Sequence, residues 1–240
     1  MAPSTKTKLS LLMMLALFSG CAGEEDLDEP IEGTQHDIRD AKLADDYPEA
    51  VLIGDYCSGA LISPFVVLTA AHCISSDMAN DTVVAPFVGA SAVVVGGEKC
   101  KLPKGSSPDV GLVYLATPIH LPRYPKIATS RVADGSRAVL VGRNKNKKFS
   151  SEALFRSTYR VERGTSDRNY VVDEAVLRAG DSGGPDFAAG VKEHVIIAVN
   201  SSEDRGRAYL ARVDKIKSWI APRVEARGGF TAGGGFRRVD

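Results

Sequence analysis

The sequence predicts an all-β protein, a sandwich or a barrel. Three observations lead there. The apolar runs are short and rich in valine, isoleucine and alanine. Turn-forming residues separate them at short intervals. There is no internal repeat, and no alternation of strand-like with helix-like segments of the kind that builds a parallel α/β sheet. With 240 residues, 44% of them hydrophobic, the chain can bury a sizeable core as one large β domain or two small ones.

In chain order the expected strands are Ala50–Ile53, Gly59–Ile62, Phe65–Thr69, Ala92–Val95, Val110–Leu115, Ala138–Val141, Tyr170–Val172 and Val195–Val199. Each is a brief apolar run with glycine, proline, serine, asparagine or aspartate close by, residues that favour turns over continued strand. One helix is expected, Asp214 to Arg227. Val213, Ile216, Ile220 and Val224 recur there at three- and four-residue spacing, the stripe with which a helix covers a core. The last stretch, Gly228 to Asp240, contains G-G-F and G-G-G, so residues 223–240 read as a flexible tail.

Thirty basic and thirty acidic residues leave no net charge, and the chain lacks the basic excess of a nucleic-acid binder. An acidic run, Glu24 to Glu29, and a basic end, Arg223, Arg227, Arg237 and Arg238, read as solvated tails. Lys6 and Lys8 precede the apolar run Leu9–Phe18, which is too short to span a bilayer and reads as the core of a signal peptide covering residues 1–20. It ends in L-F-S-G-C (Leu17 to Cys21), which resembles a bacterial lipobox, with Phe18 in place of the usual branched aliphatic. Cleavage before Cys21 would leave that cysteine as a lipidated, membrane-anchored first residue. An ordinary secretory signal cut nearby is the alternative. Either way the protein is expected outside the cytoplasm, as an envelope lipoprotein or secreted, where disulfides persist. Residues 21–30 form an acidic tether or propeptide.

Two motifs carry chemistry. The first, A-G-D-S-G-G-P (Ala179 to Pro185), sets Ser182 among glycines. Glycine permits a sharp turn and close approach of a substrate carbonyl, and lets two amide N–H groups converge where an oxyanion can form. The second, T-A-A-H-C (Thr69 to Cys73), supplies a histidine far upstream. Of the histidines at 36, 72, 120 and 194, only His72 follows a strand-like run and two alanines and precedes a cysteine. Cys57 stands sixteen positions before Cys73. A bridge between them would close a loop around His72, contribute on the order of 3 kcal/mol and hold the imidazole's segment rigid.

C-S-G-A-L-I from Cys57, V-L-T-A-A-H-C ending at Cys73, and G-D-S-G-G-P from Gly180 together resemble a trypsin/chymotrypsin-like serine protease, here a bacterial and exported one. The resemblance runs from about Ile31 to Ile220. It implies a protease domain over residues 31–222, built as two six-stranded antiparallel β-barrels with a C-terminal helix. The site would lie in the cleft between barrels that join near residues 122–135. It further implies that Ser182 is the nucleophile, His72 the general base and Asp109, in S-P-D-V-G-L-V-Y-L, the acid that orients the imidazole. The backbone N–H groups of Gly180 and Ser182 would form the oxyanion hole. No cofactor or metal is implied, and the partner is a protein or peptide substrate cleaved by a monomer.

The family pairs the aspartate before its nucleophile with the amine of a cleaved N-terminus. Here that means Asp181 with Ile31, whose distances to Cys57 and His72 match the family's spacing. Pro30 stands where trypsin-like zymogens carry a basic residue, and residues 21–30 contain none, so a tryptic cut is not expected. Cleavage at Ile31 would also free the domain from a lipid on Cys21. Cys100 is left as a free thiol, or as a partner for an unlipidated Cys21. Counting back from the nucleophile places Val176 at the pocket floor, which favours an apolar P1 side chain. Asn200 and Ser202 fall in the substrate-pairing segment, with Ser202 in place of a glycine at the pocket mouth. Arg178 replaces the usual pocket cysteine, and Gly142–Arg143–Asn144 lacks the family's tryptophan. The leading expectation is an exported serine endopeptidase. The alternatives are a catalytically silent, protease-like binding protein and an esterase.

Overall fold

Among the described residues, the short apolar runs and the turns between them become seventeen strands, one α-helix and one turn of 3-10 helix. The structure is a computed structural model, and it describes residues 41–103, 106–164, 166–174 and 176–239. All of these fall in one unit, Gln35–Asp240. The expected signal peptide and acidic tether, with Cys21 and Ile31, lie outside the described residues.

A two-residue strand, β1 (Lys42–Leu43), comes first. Six strands then close a barrel: β2 (Ala50–Ile53), β3 (Cys57–Ser63), β4 (Val66–Thr69), β5 (Thr82–Ala85), β6 (Ala90–Lys99) and β7 (Gly111–Leu115). They run in spatial order β2-β3-β4-β7-β6-β5, antiparallel throughout, and β5 returns to β2. Closure leaves no unpaired sheet edge. Every residue of β2, β3, β4 and β7 is buried, which is why they read as unbroken apolar runs. Strand β6 has one wet face and reads as an alternation instead.

The connection after β7 carries β8 (Lys126–Ala128) and contains the expected junction. The second half comprises β9 (Ser136–Gly142), the hairpin β10 (Asn144–Lys145) and β11 (Lys148–Phe149), β12 (Phe155–Arg163), β13 (Asn169–Val172), β14 (Pro185–Ala188), β15 (Val195–Asp204) and β16 (Arg207–Arg212). The order β14-β9-β12-β13-β16-β15 closes into a second six-stranded barrel because β14 also pairs with β15. Strand β1 extends β12, and the start of β15 pairs in parallel with β8.

The helix, α1, is Lys217–Glu225, shorter than the expected 214–227. Val213 and Ile216 of the stripe precede it, yet all four stripe residues are fully buried. The tail is a correction. Residues 223–225 finish α1, and β17 (Gly235–Arg237) pairs in parallel with β8. The glycines suggested flexibility, but Phe230 and Phe236 meet edge to face and Val239 is buried, and that apolar contact anchors the segment. Strand β12 went unrecognised because arginine, threonine and glutamate on its wet face dilute its apolar residues.

Asp186 in β14 is fully buried, and among the described residues neither of its carboxylate oxygens has a hydrogen-bond partner. Burial pushes its carboxyl well above the usual range. A raised folded-state pKa gives stability that is full below about 3.9, the unfolded value, and lost as pH rises through the folded one. Asp186→Asn keeps the shape but binds no proton. Its urea midpoint should exceed that of the parent at pH 8, with a margin that shrinks toward pH 4. A margin constant with pH would refute the assignment.

Candidate active site

One register brings His72 and Asp109 together. Strand β4 pairs with β7 so that Thr69 faces Gly111. The chain leaving β4 turns through a single 3-10 turn, Ala71–Cys73, while the chain entering β7 arrives through Asp109. Three residues beyond one partner and two before the other, the side chains meet. His72 Nδ1 lies 2.7 Å from Asp109 Oδ2, and the His72 backbone N–H donates to Asp109 Oδ1 at 2.9 Å. Ser201 Oγ donates to Asp109 Oδ2 at 2.8 Å.

Burial pushes the Asp109 carboxyl up, but the hydrogen bonds from His72 and Ser201 outweigh it and hold the group below the ordinary carboxylate range. The carboxylate therefore accepts a proton-bearing Nδ1, which leaves Nε2 as the acceptor nitrogen. His72 is about half exposed (46%) and Asp109 less so (28%). The Cys57–Cys73 disulfide closes the loop behind them. Ligand atoms of Cys57, His72 and Cys73 cluster within 4.8 Å, but the bridge uses both sulfurs and leaves no thiolate for a metal. Cys100 is free among the described residues and buried, and burial pushes its thiol up to about 11.

Ser182 reaches the first barrel through hydrogen bonds from β3. The Ser58 N–H donates to Ser182 O and the Ser58 hydroxyl to Gly180 O, both at 2.8 Å. Gly183 makes this approach possible. Its φ is +79°, and a Cβ there would sit 2.0 Å from Thr69 Oγ1 and 2.5 Å from Ser58 O. The N–H groups of Gly180 and Ser182 donate to nothing among the described residues, and neither does the Ser182 hydroxyl. No hydrogen bond joins Ser182 to His72 among the described residues.

Asp181 points away from solvent and is fully buried. Its Oδ1 accepts from Asn144 N and its Oδ2 from Arg178 N, both at 2.9 Å. Burial still leaves its carboxyl above the ordinary range despite these bonds. Arg143, also fully buried, stands where the tryptophan was expected. Its guanidinium lies over the Phe149 ring at 5.4 Å and donates from Nη2 to Gly54 O at 2.6 Å, which joins the second barrel to the first.

A cavity of about 330 Å³ opens beside Ser182, lined by Leu177, Arg178, Ala179, Ser182, Ser201, Ser202 and Glu203. Ser202 lines it. Val176 is buried and does not line it; its neighbour Leu177 does. The Asn200 side chain is also turned away, donating to Val141 O at 2.9 Å and Asp181 O at 3.0 Å. It supports the loop that carries Ser182 and does not face the cavity. Arg178 pairs with Glu203 at 2.9 Å across the lining, so an ion pair occupies the place of the missing pocket cysteine. Sequence reasoning missed Ser201, Glu203 and Asn144. Only their neighbourhood in motif-bearing segments marked them, because each acts through a partner distant in sequence.

A family model described as Trypsin matches residues 44–220, more than half of the chain. Among solved structures, human heparin binding protein is 20% identical with a TM-score of 0.64, and the match covers 80% of this chain and 98% of that one. Neuropsin, a serine protease expressed in the limbic system of mouse brain, is 15% identical with a TM-score of 0.63, covering 77% and 98%. These likenesses are of fold.

Replacing both bridge cysteines, Cys57→Ala with Cys73→Ala, frees the loop that carries His72. The expected loss is on the order of 3 kcal/mol, read as a lower urea midpoint. An unchanged midpoint would mean that packing alone holds the loop.

Proposed function

The chain belongs to the trypsin family, and from that premise we propose that it is an exported serine endopeptidase with Ser182 as its nucleophile. The observation that carries the reading is the double grip of Asp109 on His72. It fixes both the imidazole's backbone and its Nδ1–H, so that Nε2 is free to act as a base toward Ser182. A neutral hydroxyl is a weak nucleophile and needs that base.

In this mechanism Ser182 Oγ attacks the scissile carbonyl carbon and passes its proton to His72 Nε2. The carbonyl π electrons move to oxygen, and the Gly180 and Ser182 N–H groups stabilise the oxyanion. Collapse expels the amine, which takes the proton from Nε2, and an acyl-enzyme remains. Water repeats the sequence and releases the acid. Asp109, held at low pKa, stays ionised beside the imidazolium. The Ser182–His72 hydrogen bond belongs to the substrate complex, since such bonds tighten on binding.

The P1 subsite is the cavity beside Ser182. Leu177 and Ala179 in its lining, with the Arg178–Glu203 charges paired off, support a small or medium apolar P1 side chain. The disulfide and the N-terminal signal support export, with a lipid on Cys21 as the membrane anchor. Asp181, whose carboxyl burial raises, is the acid that an Ile31 amine would meet. Pro30 makes the enzyme cutting there other than trypsin-like. A silent binding protein is the second reading, favoured by the absent Ser182–His72 hydrogen bond.

A fluorophosphonate probe separates the two. Protein with Ile31 as its free N-terminus should be labelled once per chain and its Ser182→Ala variant not at all; no labelling of that form would favour the binding protein. Asp109→Asn should lower kcat by about 10⁴-fold through the wrong imidazole tautomer, measured on a peptide substrate. In a peptide library, P1 alanine and valine should be cleaved faster than P1 arginine and lysine; the reverse order would overturn the pocket assignment.

A further inference from the structure

Resting on the reading above and deepening it, we propose that Asn144 is the positioning residue of the oxyanion hole. It holds the Ala179–Gly180 peptide with the Gly180 N–H turned toward the substrate. The Asn144 side chain is nearly fully buried, and its Nδ2 donates to Ala179 O at 2.9 Å. Its own backbone N–H donates to Asp181 Oδ1 at 2.9 Å. One residue therefore grips the chain on both sides of Gly180.

The consequence follows from peptide geometry. In a planar trans peptide the carbonyl and the next N–H point in opposite directions. Fixing Ala179 O toward Asn144 fixes the Gly180 N–H away from it. That N–H donates to no described group, as an oxyanion donor must not. The amide suits the task because its Nδ2 gives the Ala179 carbonyl a hydrogen-bond donor that fixes the direction of the peptide. With that donor gone, rotation of the peptide would restore a partner to the carbonyl and turn the N–H out of the hole.

Asn144 is itself held rigidly. It starts the β10–β11 hairpin, in which it pairs with Phe149 and Lys145 pairs with Lys148. The two central residues, Asn146 and Lys147, both have positive φ, +50° and +64°, the geometry of a tight two-residue turn. Phe149 returns from that turn onto Gly180, where a Cβ would meet its ring at 2.5 Å, and Gly180 has a φ of +94°. On the far side the Ser58 hydroxyl holds Gly180 O. Both peptides flanking Gly180 thus have their carbonyls assigned, one to each barrel.

The test uses the full chain and two substitutions. Asn144→Ala removes the side-chain donor but keeps the backbone N–H on Asp181. Asn144→Asp keeps the shape and sets a carboxylate oxygen against Ala179 O. With a peptide substrate, kcat should fall roughly 10- to 100-fold for Asn144→Ala and further for Asn144→Asp. That falls short of, or reaches, the about 10²–10³-fold cost of deleting an oxyanion donor outright. KM and the affinity for a product peptide should change by less than about twofold. Affinity for a peptide aldehyde, whose adduct carries an oxyanion, should fall in step with kcat/KM. Unchanged kcat in both variants overturns the proposal. So does product-peptide affinity falling in parallel with aldehyde affinity, which marks general loosening of the site. Protein with Ile31 as its free N-terminus that a fluorophosphonate does not label sinks the endopeptidase reading instead, and this proposal with it.

Discussion

Strand β4 is hydrogen-bonded to β7 with Thr69 opposite Gly111, and the proposed chemistry depends on that register. A shift of one residue would reverse the face of every side chain along the pair. It would also separate an imidazole and a carboxylate that now meet at 2.7 Å. The register is well protected, since β4 and β7 are buried along their whole length inside a closed barrel. The apolar residues that make the strands legible are thus the same ones that hold His72 and Asp109 in place.

The loop that carries Ser182 is fixed in a different way. Few of its side chains pack; it is held instead by hydrogen bonds to its backbone and to Asp181. Ser58 reaches it from β3, Asn200 from β15 and Asn144 from the hairpin after β9. A buried loop must satisfy its peptide groups somewhere, and here the partners come from both barrels. The orientation of the loop therefore reports how the barrels are docked. Arg143 strengthens the same contact by carrying a buried guanidinium from the second barrel to the carbonyls at the end of β2.

Legibility divided along that line. The strands around His72 and Asp109 could be read because apolar runs of this length, bracketed by turn residues, have few other uses. His72, Asp109 and Ser182 stand out as candidates because their motifs are specific. Val176 is buried one residue from the cavity lining, and the Asn200 side-chain amide donates to Val141 O and Asp181 O. Counting along a chain finds the segment that lines a pocket but not which way each side chain turns, and a bulge between Asn200 and Ser202 shifts the pairing at that point.

By itself the sequence determined the all-β class and the trypsin-like motifs, and it marked His72, Asp109 and Ser182 as the candidates for base, acid and nucleophile. It could do so because periodicity, turn chemistry and the glycines around Ser182 are local properties. Tertiary structure alone decided that Ser201 is the third donor to Asp109's carboxylate, that Arg178 and Glu203 form an ion pair across the cavity, and that Asn144 holds Ala179. Each of these is a contact between side chains and backbone far apart in the chain. Such contacts exist only once two closed barrels have fixed the distances between them.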